Sequence, residues 1–335
     1  MEMSKSASNR VADAPANIWV YRLLPRGIWP YAQLARWDRP IGWWLLMWPC
    51  LWSFALSFRV FLDNPPATLT DNDIAPLLVV GQFVQGVFFF WLGAVMMRGA
   101  GCTYNDFVDA GIDAKVARTA SRPIPSGRVT RRQAAMFTVV QALVGLVCLL
   151  GVSLIGRATL NEFAVLLGIS SLVIVAAYPF AKRITDWPQF VLGLAFSWGA
   201  LMGWAAIFAN LTVIPVLLYV GSILWVIGYD TIYAHQDKED DALIGVRSTA
   251  RLFGDKTKPA LIILYSGTLA LMAAAFWLAS ADWPAYLGLA LGCAHMIWQV
   301  VSLDIEDADN CLALFKSNSH FGWLVFGGLL VDILV

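Results

Sequence analysis

The sequence predicts an all-α integral membrane protein with nine transmembrane helices, arranged as two four-helix halves plus a ninth helix. Three observations predict this class: the composition, the long apolar runs and the distribution of basic residues. Of the 335 residues, 59% are hydrophobic and only 14% are charged, whereas soluble globular proteins have about 45–50% apolar and about 25% charged residues. Too few polar side chains remain to cover a water-soluble surface of this size.

Nine runs approach the length of about 20 apolar residues that a membrane-crossing helix needs. Only helices satisfy their own backbone hydrogen bonds in lipid at these lengths, so each run is predicted to be helical. Residues 1–39 are polar and basic, and we expect them to form a cytoplasmic tail ahead of a membrane domain at 40–335. The predicted spans are about 41–62, 75–101, 132–152, 161–180, 188–209, 211–229, 259–279, 283–301 and 320–335.

The basic residues are distributed unevenly along these spans. If the N-terminus is cytoplasmic, 21 of the 23 Lys and Arg residues lie in the tail or in alternate connections on the same side, and only Arg59 and Arg157 lie opposite. Such an asymmetry marks the cytoplasmic face. We therefore expect a multi-pass protein of a bacterial inner (plasma) membrane. Zero net charge gives no indication of nucleic-acid binding.

A first acidic motif follows the second predicted span. Asn105, Asp109 and Asp113 are spaced four residues apart, so on a helix they share one face. Asp106 lies three residues before Asp109 and can join that face. One acidic cluster of this kind is most simply explained as a solvated loop, so its meaning depends on the rest of the chain.

A second motif follows the sixth span, where Asp237 and Asp241 are again four residues apart. Both motifs are predicted on the same side, each after the second helix of a four-helix half, which resembles an internal duplication with a site between the halves. Oxygen ligands without His or Cys suit Mg²⁺, which binds one or two carboxylates together with phosphate and water. The predicted metal ligands and catalytic residues are therefore Asp109, Asp113, Asp237 and Asp241.

Basic residues accompany the acidic motifs. Arg118 and Arg122 follow the first motif, and Lys182 and Arg183 end the fourth span one helical turn after Tyr178. Mg²⁺ combined with Lys and Arg can hold a diphosphate and neutralise the charge that develops as it leaves. These residues are predicted to bind substrate, and Lys182 and Arg183, at the end of a span behind Tyr178, are the first candidates for contact with phosphate.

At these motifs the chain resembles the UbiA superfamily of intramembrane aromatic prenyltransferases. The family pattern is N-D-x-x-D-x-x-x-D after the second helix and D-x-x-x-D after the sixth, here Asn105–Asp113 and Asp237–Asp241. Four further blocks resemble the 4-hydroxybenzoate polyprenyltransferase branch in particular, and the similarity covers about residues 30–335. Those blocks are Arg36–Gly42, Arg98–Asp106, Arg118–Gly127 and Gly245–Ala250.

The resemblance implies transfer of a polyprenyl chain from its diphosphate to the ring carbon ortho to the hydroxyl of 4-hydroxybenzoate. This reaction is the membrane step of ubiquinone biosynthesis, with Mg²⁺ as cofactor and membrane lipid as the surroundings. Asn105 and Asp106 are also expected at the substrate. The acceptor carboxylate requires a cation, because an unpaired buried carboxylate is costly. Arg183 is the first candidate for that cation and Arg39 the second.

Two alternatives remain open from the sequence. Another enzyme of the same superfamily could use homogentisate, a naphthoate or haem as its acceptor, since the choice of acceptor depends on the resemblance alone. A cation transporter could use the acids as ion ligands, but transporter sites normally lie near the middle of the membrane. The acids here lie at the ends of the spans, on one side.

Overall fold

The computed structural model describes residues 18–64, 76–114, 119–238, 245 and 247–335. Within these ranges all regular secondary structure is helical, and short 3₁₀ turns at His235–Asp237 and Gly254–Lys256 join some of the helices. The α-helices are α1 (Trp19–Leu23), α2 (Trp29–Leu34), α3 (Ile41–Asp63), α4 (Pro76–Asp113), α5 (Arg131–Ser153), α6 (Glu162–Ile184), α7 (Pro188–Ser197), α8 (Gly199–Phe208), α9 (Val213–Ala234), α10 (Thr249–Phe253), α11 (Thr257–Leu278), α12 (Trp283–Ser302) and α13 (Ala308–Leu334).

Eight helical segments in the described part of the chain are long and apolar enough to cross a membrane. They match the first eight predicted spans, and the multi-pass membrane class is confirmed. The fifth of them combines α7 and α8, and the seventh begins at Thr249, with α10. The count of nine is not confirmed. The predicted ninth span lies in α13, which has 27 residues but also carries Asp309, Lys316 and Asp332 and is not among the eight.

The chain divides into two compact units. The first contains the described residues of 1–44 together with 91–148, and the second contains those of 45–90 together with 149–335. These boundaries do not follow the predicted four-helix halves, so the internal duplication stays a prediction.

In the first unit, part of the predicted tail is folded. Val20, Ala32 and Leu34 are completely buried. Leu34 packs in one hydrophobic cluster with Ile124 and Val129, from the connection after α4. The short helix α2 is therefore packed against the segment that follows the first acidic motif.

The core of the second unit contains a group of large aromatic side chains. The buried Trp52 ring lies 5.0 Å from the Trp225 ring and 5.6 Å from the Phe321 ring, centroid to centroid. The indole N–H of Trp52 donates to the Gly322 carbonyl at 3.1 Å, and that of Trp225 donates to Asn318 Oδ1 at 2.9 Å. Both buried indole groups are therefore hydrogen-bonded, as burial requires, and they connect α3 and α9 to α13.

A close helix–helix approach also holds the second unit together. A Cβ atom added at Gly203 would lie 2.5 Å from the Cys50 carbonyl oxygen and 2.5 Å from the Phe54 backbone nitrogen. The backbones of α3 and α8 therefore touch, which requires a residue without a side chain at this position. Small residues at such crossings are a general feature of membrane helix packing.

Candidate active site

The first acidic motif forms the last turns of α4, which continues as one helix from Pro76 to Asp113. The predicted shared face for its acidic residues is confirmed by this helical backbone. Asp106, Asp109 and Asp113 are all buried, with 0%, 2% and 7% of their surface exposed, whereas Asn105 is half-buried. Buried carboxylates require paired cations or hydrogen-bond donors, so they do not form a solvated loop.

Two arginines supply much of this compensation. Arg36 Nη2 donates to Asp106 Oδ1 at 2.7 Å. Arg122 Nη1 lies 3.2 Å from the same Asp106 oxygen and 3.0 Å from Asp113 Oδ2. Arg122, which we predicted to bind substrate, is therefore placed among the motif carboxylates. Arg36 was not among the predicted site residues.

The surroundings of Asp113 disfavour its ionised form. Burial raises the pKa of this carboxyl group above the ordinary aspartate range. The Arg122 guanidinium opposes the rise, while the nearby negative charges of Asp106 and Asp109 add to it. The charged form of Asp113 would therefore gain from a further cation at this site.

The chemistry of this donor set suits a hard divalent cation. Asp106 Oδ2 is buried without a hydrogen-bond partner, and Asp109 and Asp113 add carboxylates one helical turn apart. Carboxylate oxygens are the ligands that Mg²⁺ prefers. Among the described side chains, however, no group of three or more His, Cys, Asp or Glu residues is assembled around a metal position. The first motif alone therefore supplies part of a ligand set.

A buried glutamine in the N-terminal segment accepts hydrogen bonds from Arg36 and from Arg128. Gln33 is fully buried; its carbonyl oxygen accepts from Arg36 Nη1 at 2.7 Å, and its Oε1 accepts from Arg128 Nη1 at 2.8 Å. Its Nε2 donates to the Tyr21 hydroxyl at 3.2 Å. This network lies in the segment predicted to be a cytoplasmic tail. The sequence feature that could have indicated this network is a glutamine inside the short apolar stretch Ala32–Ala35.

Arg39, a candidate for the acceptor carboxylate, lies beside an acidic residue. Its Nε is 3.5 Å from Asp38 Oδ1, and the Asp38 side chain is fully buried and also accepts a 3.3 Å hydrogen bond from the Tyr21 hydroxyl. The positive charge of Arg39 therefore already has a partner, which weakens its case as the acceptor cation.

The second motif is described only in part. Helix α9 ends at Ala234 and continues into the 3₁₀ turn His235–Asp237. The Asp237 side chain and all of Asp241 lie outside the described residues, as does Arg118. Whether these residues join the first motif therefore stays a prediction.

The predicted pair Tyr178 and Lys182 lies on α6, so the helical spacing of the two residues is confirmed. Tyr178 is half-buried. Lys182 and Arg183 belong to the last turn of the same helix, but their side chains are outside the described part. Their roles stay predictions.

Close to the second motif, a buried polar group connects α9 to α10 and α11. The hydroxyls of Thr231 and Thr249 are 2.6 Å apart, and His235 Nε2 lies 2.9 Å from Thr257 Oγ1. Burial, with a smaller contribution from Lys238, lowers the pKa of His235 to about 4. His235 is therefore neutral at physiological pH and cannot act there as a cation for a phosphate group.

Curated relatives resemble the chain over most of its length. A protein from Arabidopsis thaliana named "4-hydroxybenzoate polyprenyltransferase, mitochondrial" is 41% identical over 93% of this chain and 71% of its own length. A protein of the same name from Caenorhabditis elegans is 40% identical over 100% of this chain and 84% of its own.

Solved structures show the same fold. The apo structure of a UbiA homologue from Aeropyrum pernix K1 has a TM-score of 0.64 at 24% identity, covering 86% of this chain and 97% of that one. The structure of a UbiA homologue from Archaeoglobus fulgidus bound to GPP and Mg²⁺ has a TM-score of 0.59 at 18% identity, covering 91% of this chain and 100% of that one.

The family assignment follows from a match along the chain itself. The model of the UbiA prenyltransferase family matches residues 46–325, which include both acidic motifs and all eight helical segments except the first residues of the first one. With a match over more than half of the sequence, and relatives at 40% identity or more, this chain belongs to the UbiA prenyltransferase family.

Proposed function

We propose that this protein transfers a polyprenyl chain from polyprenyl diphosphate to the ring carbon ortho to the hydroxyl of 4-hydroxybenzoate, in ubiquinone biosynthesis. The observation that carries the proposal is the similarity, at 41% and 40% identity over nearly the whole chain, to relatives named for this activity. The buried carboxylate–arginine cluster at the end of α4 supplies groups suited to a diphosphate. No described feature favours a cation transporter.

The reaction separates charge, and the chain supplies residues for each part of it. Departure of the diphosphate leaves an allylic carbocation, so the developing negative charge must be neutralised where water is excluded. Asp109 and Asp113 would hold one Mg²⁺, and Asp237 and Asp241 a second. When bound, Mg²⁺ neutralises charge on the leaving diphosphate. The cluster is nearly closed to water, because the Arg36 and Arg122 side chains are only 12% and 14% exposed.

The remaining predicted residues are assigned by the charges of the two substrates. Arg118, Arg122, Tyr178 and Lys182 bind the diphosphate. Asn105 and Asp106 contact or support the same substrate from the motif helix.

Arg183 is proposed to bind the acceptor carboxylate. It is preferred over Arg39, since Asp38 already partners Arg39. Truncation of Arg183 to Ala should raise the KM for 4-hydroxybenzoate and leave the KM for the prenyl diphosphate little changed. If only the KM for the prenyl diphosphate rises, Arg183 is a diphosphate ligand and the assignment is wrong.

The test of the activity is a reconstituted assay with the purified protein. With Mg²⁺ and a radiolabelled polyprenyl diphosphate, we expect label to be incorporated into 4-hydroxybenzoate at a rate at least about tenfold higher than into homogentisate or a naphthoate. Chelation of the metal should stop the reaction, and added Mg²⁺ should restore it. Equal use of several acceptors, or transfer to haem instead, would overturn the choice of acceptor.

We also propose that the N-terminal segment and both motifs face the side that carries the basic loops. The contact between Arg36, ahead of α3, and Asp106, at the end of α4, supports this for the first motif, because the two ends of that helix pair meet. That side is the cytoplasm in a bacterial plasma membrane, the expectation from the sequence. It is the matrix if the location is mitochondrial, as in the names of the relatives.

Labelling of single cysteines tests this topology. Positions 115 and 240 should react from the same side of sealed vesicles, and positions 64 and 157 from the other. Labelling of 115 and 240 from opposite sides would refute a shared site. Fractionation of the native source decides between the two membranes.

A further inference from the structure

The side chain of Arg122 lies at the centre of the motif carboxylates. Its Nη1 is within ion-pair distance of both Asp113 Oδ2, at 3.0 Å, and Asp106 Oδ1, at 3.2 Å. Its Nε is buried without a hydrogen-bond partner. One nitrogen of the guanidinium therefore serves two acids, while another donor remains unused inside the site.

The two acids that Arg122 contacts differ in their surroundings. Asp106 is completely buried and also pairs with Arg36 at the shorter distance of 2.7 Å. Asp113 lies at the end of the helix with 10% of its side chain exposed, and its Oδ2 is contacted by Arg122 Nη1 at 3.0 Å. A divalent cation that needs Asp113 as a ligand must therefore compete with Arg122, whereas Asp106 can keep its arginine contacts.

The backbone around Arg122 is held independently of this ion pair. The Arg122 N–H donates to the Thr119 carbonyl at 2.9 Å, and its own carbonyl accepts from Ser126 N at 3.0 Å and from Ser126 Oγ at 2.7 Å. Arg128 further fixes the connection by donating to the Ser121 carbonyl at 2.5 Å. Movement of the Arg122 side chain away from Asp113 therefore needs no movement of the loop.

We infer that Arg122 is an exchangeable counter-cation of the first motif, paired with Asp113 before metal binds and transferred to the diphosphate when metal and substrate enter. Asp106 is the positioning residue that retains Arg122 during this exchange. The inference rests on the proposed function and deepens it. Without the metal, Arg122 pairs with Asp113 and shares Asp106 with Arg36, so it offsets charge on two buried carboxylates. With the substrate bound, its free donors can face phosphate oxygens.

The consequence is that one substitution changes two affinities in opposite directions. Loss of Arg122 frees Asp113, so metal binding in the absence of diphosphate should tighten by about tenfold, close to the lower end of the range for a hydrogen bond to a charged group. The same loss removes a donor to the diphosphate, so the KM for the prenyl diphosphate should rise by roughly 10–100-fold. If Arg122 only stabilised the loop, its loss would weaken both the metal affinity and the substrate affinity, or change neither.

The experiment is a Mn²⁺ titration followed by electron paramagnetic resonance on the purified full-length protein. Mn²⁺ substitutes for Mg²⁺ as the probe. Each variant is titrated alone and with an unreactive prenyl thiodiphosphate, and its thermal unfolding is recorded to confirm that it is folded. Arg122→Gln should bind Mn²⁺ alone about tenfold more tightly than the parent and should gain less from the analogue.

Two further variants serve as controls. Arg122→Lys retains the positive charge and should stay close to the parent in Mn²⁺ affinity. Arg128→Gln removes a charge from the same connection, where Arg128 donates to Gln33 Oε1 and to the Ser121 carbonyl. Its Mn²⁺ affinity should be unchanged. An equal gain in Arg128→Gln would show a general charge effect and would overturn the exchange.

The outcomes separate this inference from the proposed function. If the parent binds Mn²⁺ with the analogue but Arg122→Gln binds Mn²⁺ alone no more tightly than the parent, the exchange is refuted and the proposed function stands. If the parent binds no Mn²⁺ under either condition and transfers no prenyl chain, the proposed function fails and the exchange fails with it.

Discussion

Two clusters of arginine and aspartate in this molecule differ in how their charges are balanced. At the end of α4, Asp106 and Asp113 are paired with Arg36 and Arg122 from two other segments. In the second unit, Arg59 alone forms ion pairs with three carboxylates. Arg59 pairs with Asp63 one turn later on α3, with Asp282 at 2.7 Å, and with Asp332 of α13 at 3.6 Å.

The two clusters differ in how each arginine distributes its hydrogen-bond donors among its acidic partners. Arg59 directs separate nitrogens at separate partners, and its Nε also donates to the Asp332 carbonyl oxygen at 3.0 Å. Two of its acids, Asp63 and Asp282, are 40% and 55% exposed, so water can solvate them. Arg122 instead shares one nitrogen between two nearly buried acids. The Arg59 cluster therefore holds three segments together. The Arg122 cluster instead suits the exchange of Asp113 for a diphosphate as the partner of Arg122.

The strongest contrast is expected in turnover. Asp113→Asn keeps the size of the side chain and a hydrogen-bond acceptor for Arg122, but it removes a charged metal ligand, so turnover should fall by at least about 100-fold. Asp282→Asn, the matched change in the Arg59 cluster, should stay within about twofold of the parent. Initial rates at saturating substrate measure both. Comparable losses in the two variants would erase the functional distinction between the clusters.

The next contrast is expected in stability. Arg59→Leu leaves the buried Asp332 without its cation, a type of change that costs on the order of 3 kcal/mol. The midpoint of thermal unfolding in detergent should therefore fall by roughly 5–10 °C. Arg157→Leu is the control, because Arg157 is exposed and donates a 2.7 Å hydrogen bond to the Ile207 carbonyl rather than to a buried acid. If both variants melt alike, Arg59 does not hold the segments together.

The smallest effect is expected in the pH dependence of metal binding. The folded protein raises the pKa of Asp113, so this carboxyl binds its proton more tightly when folded than when unfolded. Its contribution to stability is therefore present below the unfolded pKa and is lost as the pH rises through the folded one. Metal needs the deprotonated form.

Mn²⁺ affinity should accordingly weaken on acidification at a pH above the ordinary aspartate range. Since Arg122 lowers this pKa, the change should move to higher pH in Arg122→Gln. Titrations at half-unit steps of pH would show it. If the pH dependence of Mn²⁺ affinity is identical in the parent and in Arg122→Gln, the ionisation of Asp113 does not depend on Arg122.

Much of the fold was predictable because lipid imposes a strong constraint on the sequence. Apolar runs locate the eight helical segments that are long and apolar enough to cross a membrane, and the spacing of Asn105, Asp109 and Asp113 predicts their shared helical face. The last span was harder, because α13 mixes apolar residues with polar ones such as Asn318, which bonds the Trp225 indole inside the protein. Hydropathy alone does not distinguish polar groups paired inside a bundle from polar groups in water.

The partners of the motif acids were not predictable in the same way. Arg36 and Asp106 are 70 positions apart, and the sequence offers many arginines of equal charge on the predicted cytoplasmic side. Gln33 was missed because its role depends on where its backbone carbonyl and amide lie in the folded segment. Asp237, Asp241 and Arg118 stay predictions from spacing and resemblance.

The contact between Arg36 and Asp106 also has a consequence for how the chain enters the membrane. Arg36 is synthesised before α3, and Asp106 only in the last turns of α4, so after insertion the two can pair only if they lie on the same side, as they do when α3 and α4 cross together as a hairpin. A chain in which α4 failed to cross would leave the two charges on opposite sides of the lipid. The ion pair in the finished protein therefore fits an insertion step in which α3 and α4 cross the membrane together.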